Sequence, residues 1–449
     1  MKRSHFVIPF SILVHLGIIN GLLYWLTPET YLFGNCAFYI NISWLAITTI
    51  FNFYPTKRKE KFWTNFGKVI NIFLVFALSY YAMLGYEGLD FYSNTHLVFT
   101  FVNIYLLILL YRVCFYWARD IYRVKGGNSL KVVVLGRDQN LRKLRNVFDS
   151  PDYGYRYMGY FAENYSSSNT YLGKYENAFD YILKNDIEQI YVMLSSVNKE
   201  ELQKIINFAN NNFKRLKIIP DNKDVHFTRS MKVEIYNTVP VLIARECPMH
   251  VAYGPIIKRA FDIVFSSFVI VFVLSWLTPI IYLLMRLDSK GPLIFKQQRS
   301  GINKDTFWCY KFRSMTPNEN ADTKSASKND MRVTRLGKIL RKTSLDELPQ
   351  FINVFLGHMS VVGPRPHMQC QTQEYELSVD EYLVRHSVKP GITGLAQIKG
   401  YRGEIIEKTD IINRVRLDIF YLEKWSINLD IIIIIYTMIN AIRGEEKAY

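Results

Sequence analysis

The chain has 449 residues, 49% of them hydrophobic and 15% aromatic, with 55 Lys and Arg against 39 Asp and Glu for a net charge of +16. Its length exceeds one ordinary domain and its apolar content exceeds that of most soluble chains, so a lone soluble domain is excluded and a membrane protein is expected. The positive charge suits anionic lipid; nucleic acid is the competing partner, but no basic, aromatic-interleaved module is present and no nucleic-acid partner is expected.

Four apolar segments open the chain, residues 5–26, 31–54, 68–86 and 96–117. Each is long enough as a helix to cross about 30 Å of hydrocarbon. The first follows Met1-Lys2-Arg3 without a small-residue cleavage site, so it reads as a retained span rather than a signal peptide. Lys57, Arg58, Lys59 and Lys61 separate the second and third segments, and Arg119 and Arg123 follow the fourth. The other two loops carry Glu29, or Glu87 and Asp90, and no Lys or Arg, which places both ends of a bundle spanning residues 1–125 on the cytoplasmic side. The cysteines Cys36, Cys114, Cys247, Cys309 and Cys370 are scattered without CxxC spacing, which supports neither a zinc site nor a disulfide framework.

Residues 126–250 change character to a soluble α/β pattern. Short apolar runs at 131–136, 189–194 and 216–220 alternate with amphipathic stretches such as 199–211, the pattern of a small doubly wound, Rossmann-like domain. Its first strand-to-helix turn, Leu135-Gly136-Arg137-Asp138-Gln139-Asn140, keeps one glycine where a dinucleotide fingerprint needs three. A structural or regulatory role without bound dinucleotide is expected.

Residues 251–449 form the last domain. Lys258-Arg259-Ala260-Phe261-Asp262 leads into an apolar stretch, so residues 258–286 are long enough for a fifth crossing. Basic residues flank it on both sides, and Thr278-Pro279 interrupts it where proline removes a backbone hydrogen bond. A crossing and a re-entrant hairpin broken at Thr278 and Pro279 are both open, and the hairpin is preferred because it keeps the last domain on the side of the middle one.

Next, Phe307-Trp308-Cys309-Tyr310-Lys311-Phe312-Arg313-Ser314-Met315 reads as a strand with Lys311 and Arg313 on one face, a surface suited either to solvent or to phosphate. Residues 317–330 lack periodicity and read as a surface loop or a lid. Arg332, Arg335, Lys338 and Arg341 recur every third residue, a stripe suited to anionic headgroups, to phosphate, or to a lipid phosphate that is both.

The block Leu340 to Gln350 sets Asp346 and Glu347 before Pro349, which is tolerated only in the first turn of a helix, so the pair is expected at a helix N-terminus. One reading makes the pair a cap; the other makes it a nucleophile or metal ligand beside a second carboxylate. Arg365 stands between Pro364 and Pro366, whose locked φ angles stiffen its backbone and suit it to bidentate phosphate contact. Residues 431–442 are apolar but too short to span.

From Lys258 onward the ordered blocks Lys258-Arg259-x-x-Asp262, Ser289-Lys290-Gly291-Pro292, Tyr310-Lys311-Phe312-Arg313-Ser314-Met315, Ser344-Leu345-Asp346-Glu347-Leu348-Pro349, Val362-Gly363-Pro364-Arg365-Pro366 and Lys389-Pro390-Gly391-Ile392-Thr393-Gly394 resemble the bacterial sugar transferase family, the monotopic polyprenyl-phosphate phosphoglycosyl transferases. The resemblance implies a re-entrant membrane helix broken at a Ser-Pro pair, here Thr278-Pro279. It implies Asp346 as nucleophile and metal ligand, Glu347 as its dyad partner, Mg²⁺ as cofactor, and Arg341 and Arg365 on phosphate. Arg402 is expected to help bind the nucleotide sugar. The implied reaction moves a sugar 1-phosphate from a UDP-sugar to undecaprenyl phosphate with loss of UMP, the first step of exopolysaccharide, O-antigen or capsule synthesis.

The full-length arrangement, with Tyr401-Arg402-Gly403-Glu404 and the run from Arg414 to Ser426, is similar to the large undecaprenyl-phosphate glucose phosphotransferases. Glucose 1-phosphate is the first expectation, with UDP-galactose and N-acetylated or diamino UDP-sugars as alternatives. The extra spans are expected to serve anchoring in the bacterial inner membrane or homodimer formation. A membrane regulator with an inactive transferase domain is the non-enzyme alternative.

Overall fold

The computed structural model describes residues 7–54, 62–150, 153–220, 232–236, 239–243, 247–250, 254–317, 330–401, 403, 405 and 407–443. Lys57, Arg58, Lys59 and Lys61, most of the expected lid at 317–330, and Arg402 lie outside the described residues. Two compact units are present, Met1–Glu188 with Ile235–Val239, and Gln189–Glu234 with Pro240–Tyr449.

In the first unit, helices α1 (Val7–Leu26), α2 (Cys36–Ile50), α3 (Phe62–Glu87) and α4 (Asn94–Val124) realise the four expected apolar segments. Burial runs opposite to that of a soluble bundle in its outer shell: Trp25, Trp63, Leu78, Leu110 and Trp117 are exposed, while Ile19, Trp44, Phe76 and Ile104 fill the centre. An exposed apolar shell of this kind is stable in lipid. Several polar side chains inside pair with one another, which a low-dielectric bundle favours: Asn20 donates to Asn41 at 2.8 Å, Ser79 to Ser43 at 3.1 Å, and His15 Nδ1 lies 2.8 Å from the Tyr54 hydroxyl.

One expectation needs correction. The segment expected to span at 31–54 forms only the 15-residue α2, preceded by a separate turn of helix at Pro28–Leu32. At 1.5 Å per residue α2 reaches roughly 22 Å, short of the hydrocarbon thickness. Among the described residues, α1, α3, α4 and the helical stretch Gly254–Asp288 are long and apolar enough to cross a membrane.

The first unit continues with β1 (Leu130–Leu135), α5 (Gln139–Phe148), β2 (Tyr155–Phe161) and β3 (Tyr171–Gly173), with β1 parallel to β2 and β2 parallel to β3. The Asp138 carboxylate accepts from the amides of Asn140 at 2.8 Å and Leu141 at 3.2 Å. A side chain thus takes the first-turn amides that a dinucleotide pyrophosphate uses in the intact fingerprint.

The second unit begins with β4 (Gln189–Met193), α6 (Lys199–Asn211) and β5 (Arg215–Ile219), with β4 parallel to β5; β6 (Val239–Ile243) returns antiparallel on β5. Then come α7 (Gly254–Val269), a π-helical turn at Ile270–Leu274, and α8 (Ser275–Asp288). The expected break at Thr278-Pro279 is not seen: Pro279 lies inside α8, and the irregularity in the stretch is the π-turn upstream, where the Ser275 amide donates to the Ile270 carbonyl. Proline's missing N–H and its ring clash act on the carbonyl four residues back, so the helix adjusts upstream of the proline.

Both ends of this stretch are fastened to the same unit. At the start, Lys258 Nζ donates to Asp430 at 2.6 Å, and Asp262 accepts from the Ser360 hydroxyl and the Val361 amide, both at 3.0 Å. At the end, Asp288 accepts from the Leu336 amide at 3.2 Å. Between them Val264, Phe268, Val271, Phe272, Trp276 and Leu283 are exposed.

The remaining elements include the antiparallel hairpin β7 (Ile294–Ser300) and β8 (Thr306–Phe312), α9 (Arg335–Lys342), α10 (Gln350–Leu356), the parallel pair β9 (Ser360–Val362) and β10 (Gly391–Thr393), α11 (Lys408–Lys424) and α12 (Ile427–Arg443). The β9–β10 pair needs glycine at Gly391, since a Cβ there would lie 2.1 Å from the Gly363 nitrogen. Apolar residues of several of these elements, including Phe307, Cys309, Val354, Val361, Tyr421 and Ile433, close one core. The apolar stretch at 431–442 lies in α12 with Ile433 buried and Ile432 exposed.

Asp430 is fully buried and also accepts from the Tyr421 hydroxyl at 2.7 Å and from Trp425 Nε1 at 3.2 Å. Asp430→Ala leaves Lys258 buried without this partner, so a loss of about 3 kcal/mol is expected, read as a lower thermal midpoint of the purified protein; an unchanged midpoint would contradict it. His386 faces the Gly301 carbonyl at 3.0 Å, and burial, reinforced by the Arg385 charge, pushes its imidazole down to about 4 from the ordinary 6.5. The unfolded chain therefore takes up this proton first on acidification: the contribution is whole above 6.5 and is lost as pH falls toward 4. The thermal midpoint should fall across this window in the wild type and fall less in His386→Gln, whose amide can still donate to Gly301; equal declines would exclude His386 as the source.

Candidate active site

The carboxylate pair sits at a join between two helices. α9 starts with the Thr334 hydroxyl accepting from the Gly337 amide at 3.0 Å, and Gly337 lets the helix lie on the preceding chain, since a Cβ there would come within 1.9 Å of the Ser314 carbonyl oxygen. α9 ends at Lys342, and Ser344 takes the left-handed conformation with φ 59°. A single 3-10 turn, Leu345–Glu347, then leads through Pro349, the N-cap of α10. The expectation of a helical start near Asp346, set by Pro349, matches this join, while the cap position of the 3-10 turn belongs to Ser344 and not to Asp346.

Leu345 and Leu348 flank the pair and pack with Leu274, Ile281 and Met285 of the membrane-type helix, and with Phe312 and Leu340. Burying the two leucines holds the intervening carboxylates at the edge of that helix. Asp346 is 7% exposed and Glu347 6%.

Two cations close on Glu347. Lys311 Nζ donates to Oε1 at 2.9 Å, and Arg365 donates through Nη2 to Oε1 at 2.7 Å and through Nη1 to Oε2 at 3.4 Å. The arginine fork matches the carboxylate, the strongest geometry available to this pair. Burial disfavours charge on Arg365, yet Glu347 and Asp346 beside it hold the guanidinium above the ordinary arginine value.

Arg341, at the end of α9, donates through Nε to the Ser314 hydroxyl at 2.9 Å, while its buried Nη1 has no hydrogen-bond partner among the described residues. Burial lowers its pKa, and the attractions of Asp346, Asp330 and Glu347 do not fully offset this. An anion arriving at Asp346 would supply what Arg341 lacks.

Of the expected residues, Asp346, Glu347, Lys311, Arg341 and Arg365 come together. Arg313 does not join them: β8 ends at Phe312, so strand alternation no longer aims it. Its Nε donates to the Pro292 carbonyl at 2.8 Å, and its Nη1 and Nη2 donate to the Ser289 hydroxyl and carbonyl at 2.7 and 3.1 Å, which fixes the turn after α8. Thr278 and Pro279 lie along α8. Gly403, next to Arg402, receives a hydrogen bond from Arg414 Nη2 at 3.0 Å.

Sequence reasoning missed the supports behind these residues. Fully buried Asn353 of α10 completes the open edge of β8, accepting from the Tyr310 amide at 2.9 Å and donating to the Trp308 carbonyl at 2.7 Å, and so aims Lys311. Arg299 holds the Pro366 carbonyl at 2.6 Å, and Arg385 holds the Arg365 carbonyl at 2.7 Å. Among the described residues no group of three or more His, Cys, Asp or Glu side chains converges as a metal cage.

The family model described as bacterial sugar transferase matches residues 253–444, and one described as a CoA-binding domain matches residues 49–220. The UDP-glucose:undecaprenyl-phosphate glucose-1-phosphate transferase of Klebsiella pneumoniae is 34% identical over 399 residues, covering 87% of this chain and 84% of the relative. The Escherichia coli K12 protein of the same description is 34% identical over 72% of this chain and 69% of its own. The UDP-N-acetylgalactosamine-undecaprenyl-phosphate N-acetylgalactosaminephosphotransferase of Aeromonas hydrophila is 38% identical over 42% of this chain and 44% of its own. The chain is a transferase and belongs to the bacterial sugar transferase family.

Proposed function

We propose that this enzyme transfers a sugar 1-phosphate from a UDP-sugar to undecaprenyl phosphate, releasing UMP, as the first step of exopolysaccharide, O-antigen or capsule synthesis. Glucose 1-phosphate is the preferred group, because relatives named for it align across most of the chain, whereas the N-acetylgalactosamine relative aligns over less than half. The observation that carries the reading is the assembly of Asp346 with Glu347, Lys311, Arg341 and Arg365 at the edge of the helix most suited to lipid.

In the first step an Asp346 carboxylate oxygen attacks the β-phosphorus of the UDP-sugar. The bond from that phosphorus to the bridging oxygen breaks, and UMP leaves with the oxygen and its electron pair. In the second step an oxygen of undecaprenyl phosphate attacks the aspartyl phosphosugar, and the Asp346 carboxylate is released. Splitting the transfer this way lets two anions react in turn, while Arg341, Arg365 and Lys311 offset the charge. Glu347, with both oxygens on cations, orients Arg365 and Lys311 in this scheme.

The donor set also fits Mg²⁺, which commonly binds through one or two carboxylates completed by substrate phosphates rather than an all-protein cage. Asp346 would hold it, and the ion would offset diphosphate charge as UMP departs.

The stretch Gly254–Asp288 enters and leaves the bilayer on the cytoplasmic face in this reading, as a hairpin bent near the π-turn. Supporting it are the anchoring of Lys258 and Asp262 at one end and Asp288 at the other on one unit, and the exposed apolar side chains between. Residues 1–125 then anchor the enzyme in the inner membrane, 126–250 form a middle domain of structural or regulatory use, and 251–449 carry the chemistry. A reporter at the C-terminus should read cytoplasmic; a periplasmic signal would replace the hairpin with a crossing.

Purified protein given UDP-glucose, undecaprenyl phosphate and Mg²⁺ should release UMP and yield a lipid-soluble sugar; no UMP from any common UDP-sugar would overturn the function. Asp346→Asn should lower turnover by at least about 10³-fold, and Arg365→Ala by about 10²-fold; retained turnover in the first would remove Asp346 as nucleophile. Chelating divalent metal should stop UMP release and Mg²⁺ should restore it, whereas full activity in chelator would exclude the metal.

A further inference from the structure

Behind Arg365 lies a buried polar cluster that the chemistry above does not use. Arg385 is 2% exposed, Asp418 2%, His367 4%, Arg414 6% and Tyr382 0%. Arg385 Nη1 lies 2.8 Å from His367 Nδ1, and the Tyr382 hydroxyl is 2.7 Å from the same nitrogen. Arg414 Nη1 reaches His367 Nε2 at 3.2 Å. Arg385 Nη2 stands 2.9 Å from an Asp418 oxygen as an ion pair.

Each arginine also holds a backbone carbonyl, the one held by Arg385 lying inside the site. Arg385 Nη2 donates to the Arg365 carbonyl at 2.7 Å, inside Pro364-Arg365-Pro366. Arg414 Nη2 donates to the Gly403 carbonyl at 3.0 Å, in the segment that carries Arg402. The two guanidiniums can only donate and a neutral imidazole accepts at one nitrogen, so His367 serves both through Nε2, 3.1 Å from Arg385 Nη1 and 3.2 Å from Arg414 Nη1, while its Nδ1–H donates to the Tyr382 hydroxyl. Burial followed by the Arg385 and Arg414 charges keeps its proton affinity well below the ordinary value.

This arrangement is costly if stability is its only purpose. Two guanidiniums and one carboxylate leave a net positive charge in the interior, and burial, with Arg385 next to it, pulls the Arg414 guanidinium down to about 10. Buried charges of this kind can often be replaced by apolar side chains at no loss of stability, so their presence calls for a positional reason. The carbonyls they hold supply one.

We propose that Arg385 and Arg414, joined through His367, are positioning residues that set the phosphate-facing Arg365 and the Gly403 segment from one buried unit, Arg385 governing turnover and Arg414 governing nucleotide-sugar binding. The proposal rests on the transfer reaction proposed above. Arg385 acts through Arg365, which clamps Glu347 and faces charge that develops as UMP departs, so its loss is felt in the transition state. Arg414 acts through the Gly403 segment, so its loss is felt when the UDP-sugar binds.

The test is steady-state UMP release by the full-length protein, with UDP-glucose varied at saturating undecaprenyl phosphate. Arg385→Met should lower kcat about 30-fold with KM within about threefold, and Arg414→Met should raise KM about tenfold with kcat within about threefold. Arg385→Lys and Arg414→Lys, which keep the charge but lose the fork, should show the same split at smaller amplitude, and they carry the test if the Met variants do not fold. A fall in kcat that disappears once rates are expressed per folded enzyme, measured independently by the thermal-unfolding amplitude, would make the cluster merely structural and overturn the inference, as would variants indistinguishable from wild type. If the wild type releases no UMP from any UDP-sugar, the transfer reaction itself falls and this inference with it; if the wild type turns over and the split is absent, only the inference falls.

Discussion

Glu347 shares one carboxylate oxygen between Lys311 and Arg365, at 2.9 and 2.7 Å, and the rest of the site is arranged around that contact. Lys311 comes from the β7–β8 hairpin, Arg365 from the proline-stiffened turn after β9, and Glu347 from the turn between α9 and α10. Three separate elements are therefore fixed against one another by one buried charge cluster. Removing Glu347 from it would leave two cations facing each other in a poorly solvated place, which is why such contacts hold geometry even where they add little net stability. Asp346 inherits the precision of the arrangement because it is the adjacent residue on the same turn.

The apolar stretch Gly254–Asp288 meets the carboxylate turn through side-chain packing. Leu345 and Leu348, on either side of the carboxylates, bury against Leu274, Ile281 and Met285 of the stretch that exposes Trp276 and Leu283 on its other side. The turn holding the carboxylate pair cannot move without disturbing that helix. In the reaction proposed above, a hydrophilic nucleotide sugar and a lipid-borne phosphate both have to reach one carboxylate, and a site seated on an apolar helix would satisfy that constraint without a large domain motion.

Legibility from the sequence followed the range of the forces involved. Helix existence in the apolar segments was readable because length and hydrophobicity decide it locally, although the second segment came out shorter than a span. The placement of the Asp346–Glu347 pair and of Arg365 was readable because proline constrains their backbone within three residues. Arg313 was misplaced in expectation because alternation held only while β8 lasted, and three hydrogen bonds to Ser289 and Pro292 claimed its guanidinium beyond that point. Asn353, Arg299, Arg385, His367 and Arg414 carried no local signal at all. Asn353, Arg299, Arg385 and Arg414 act on backbone carbonyls or amides distant in sequence, His367 meets the Arg385 and Arg414 side chains, and only the tertiary fold brings them there.

The account turns on Asp346 becoming covalently bonded to phosphorus. Incubating the purified protein with UDP-glucose and Mg²⁺ in the absence of undecaprenyl phosphate, then quenching and digesting it, tests this by mass spectrometry. A hexose-phosphate adduct on the peptide containing Asp346, lost on addition of undecaprenyl phosphate and absent in Asp346→Asn, is the predicted result. UMP release that needs undecaprenyl phosphate from the outset, with no adduct on that peptide, would contradict it.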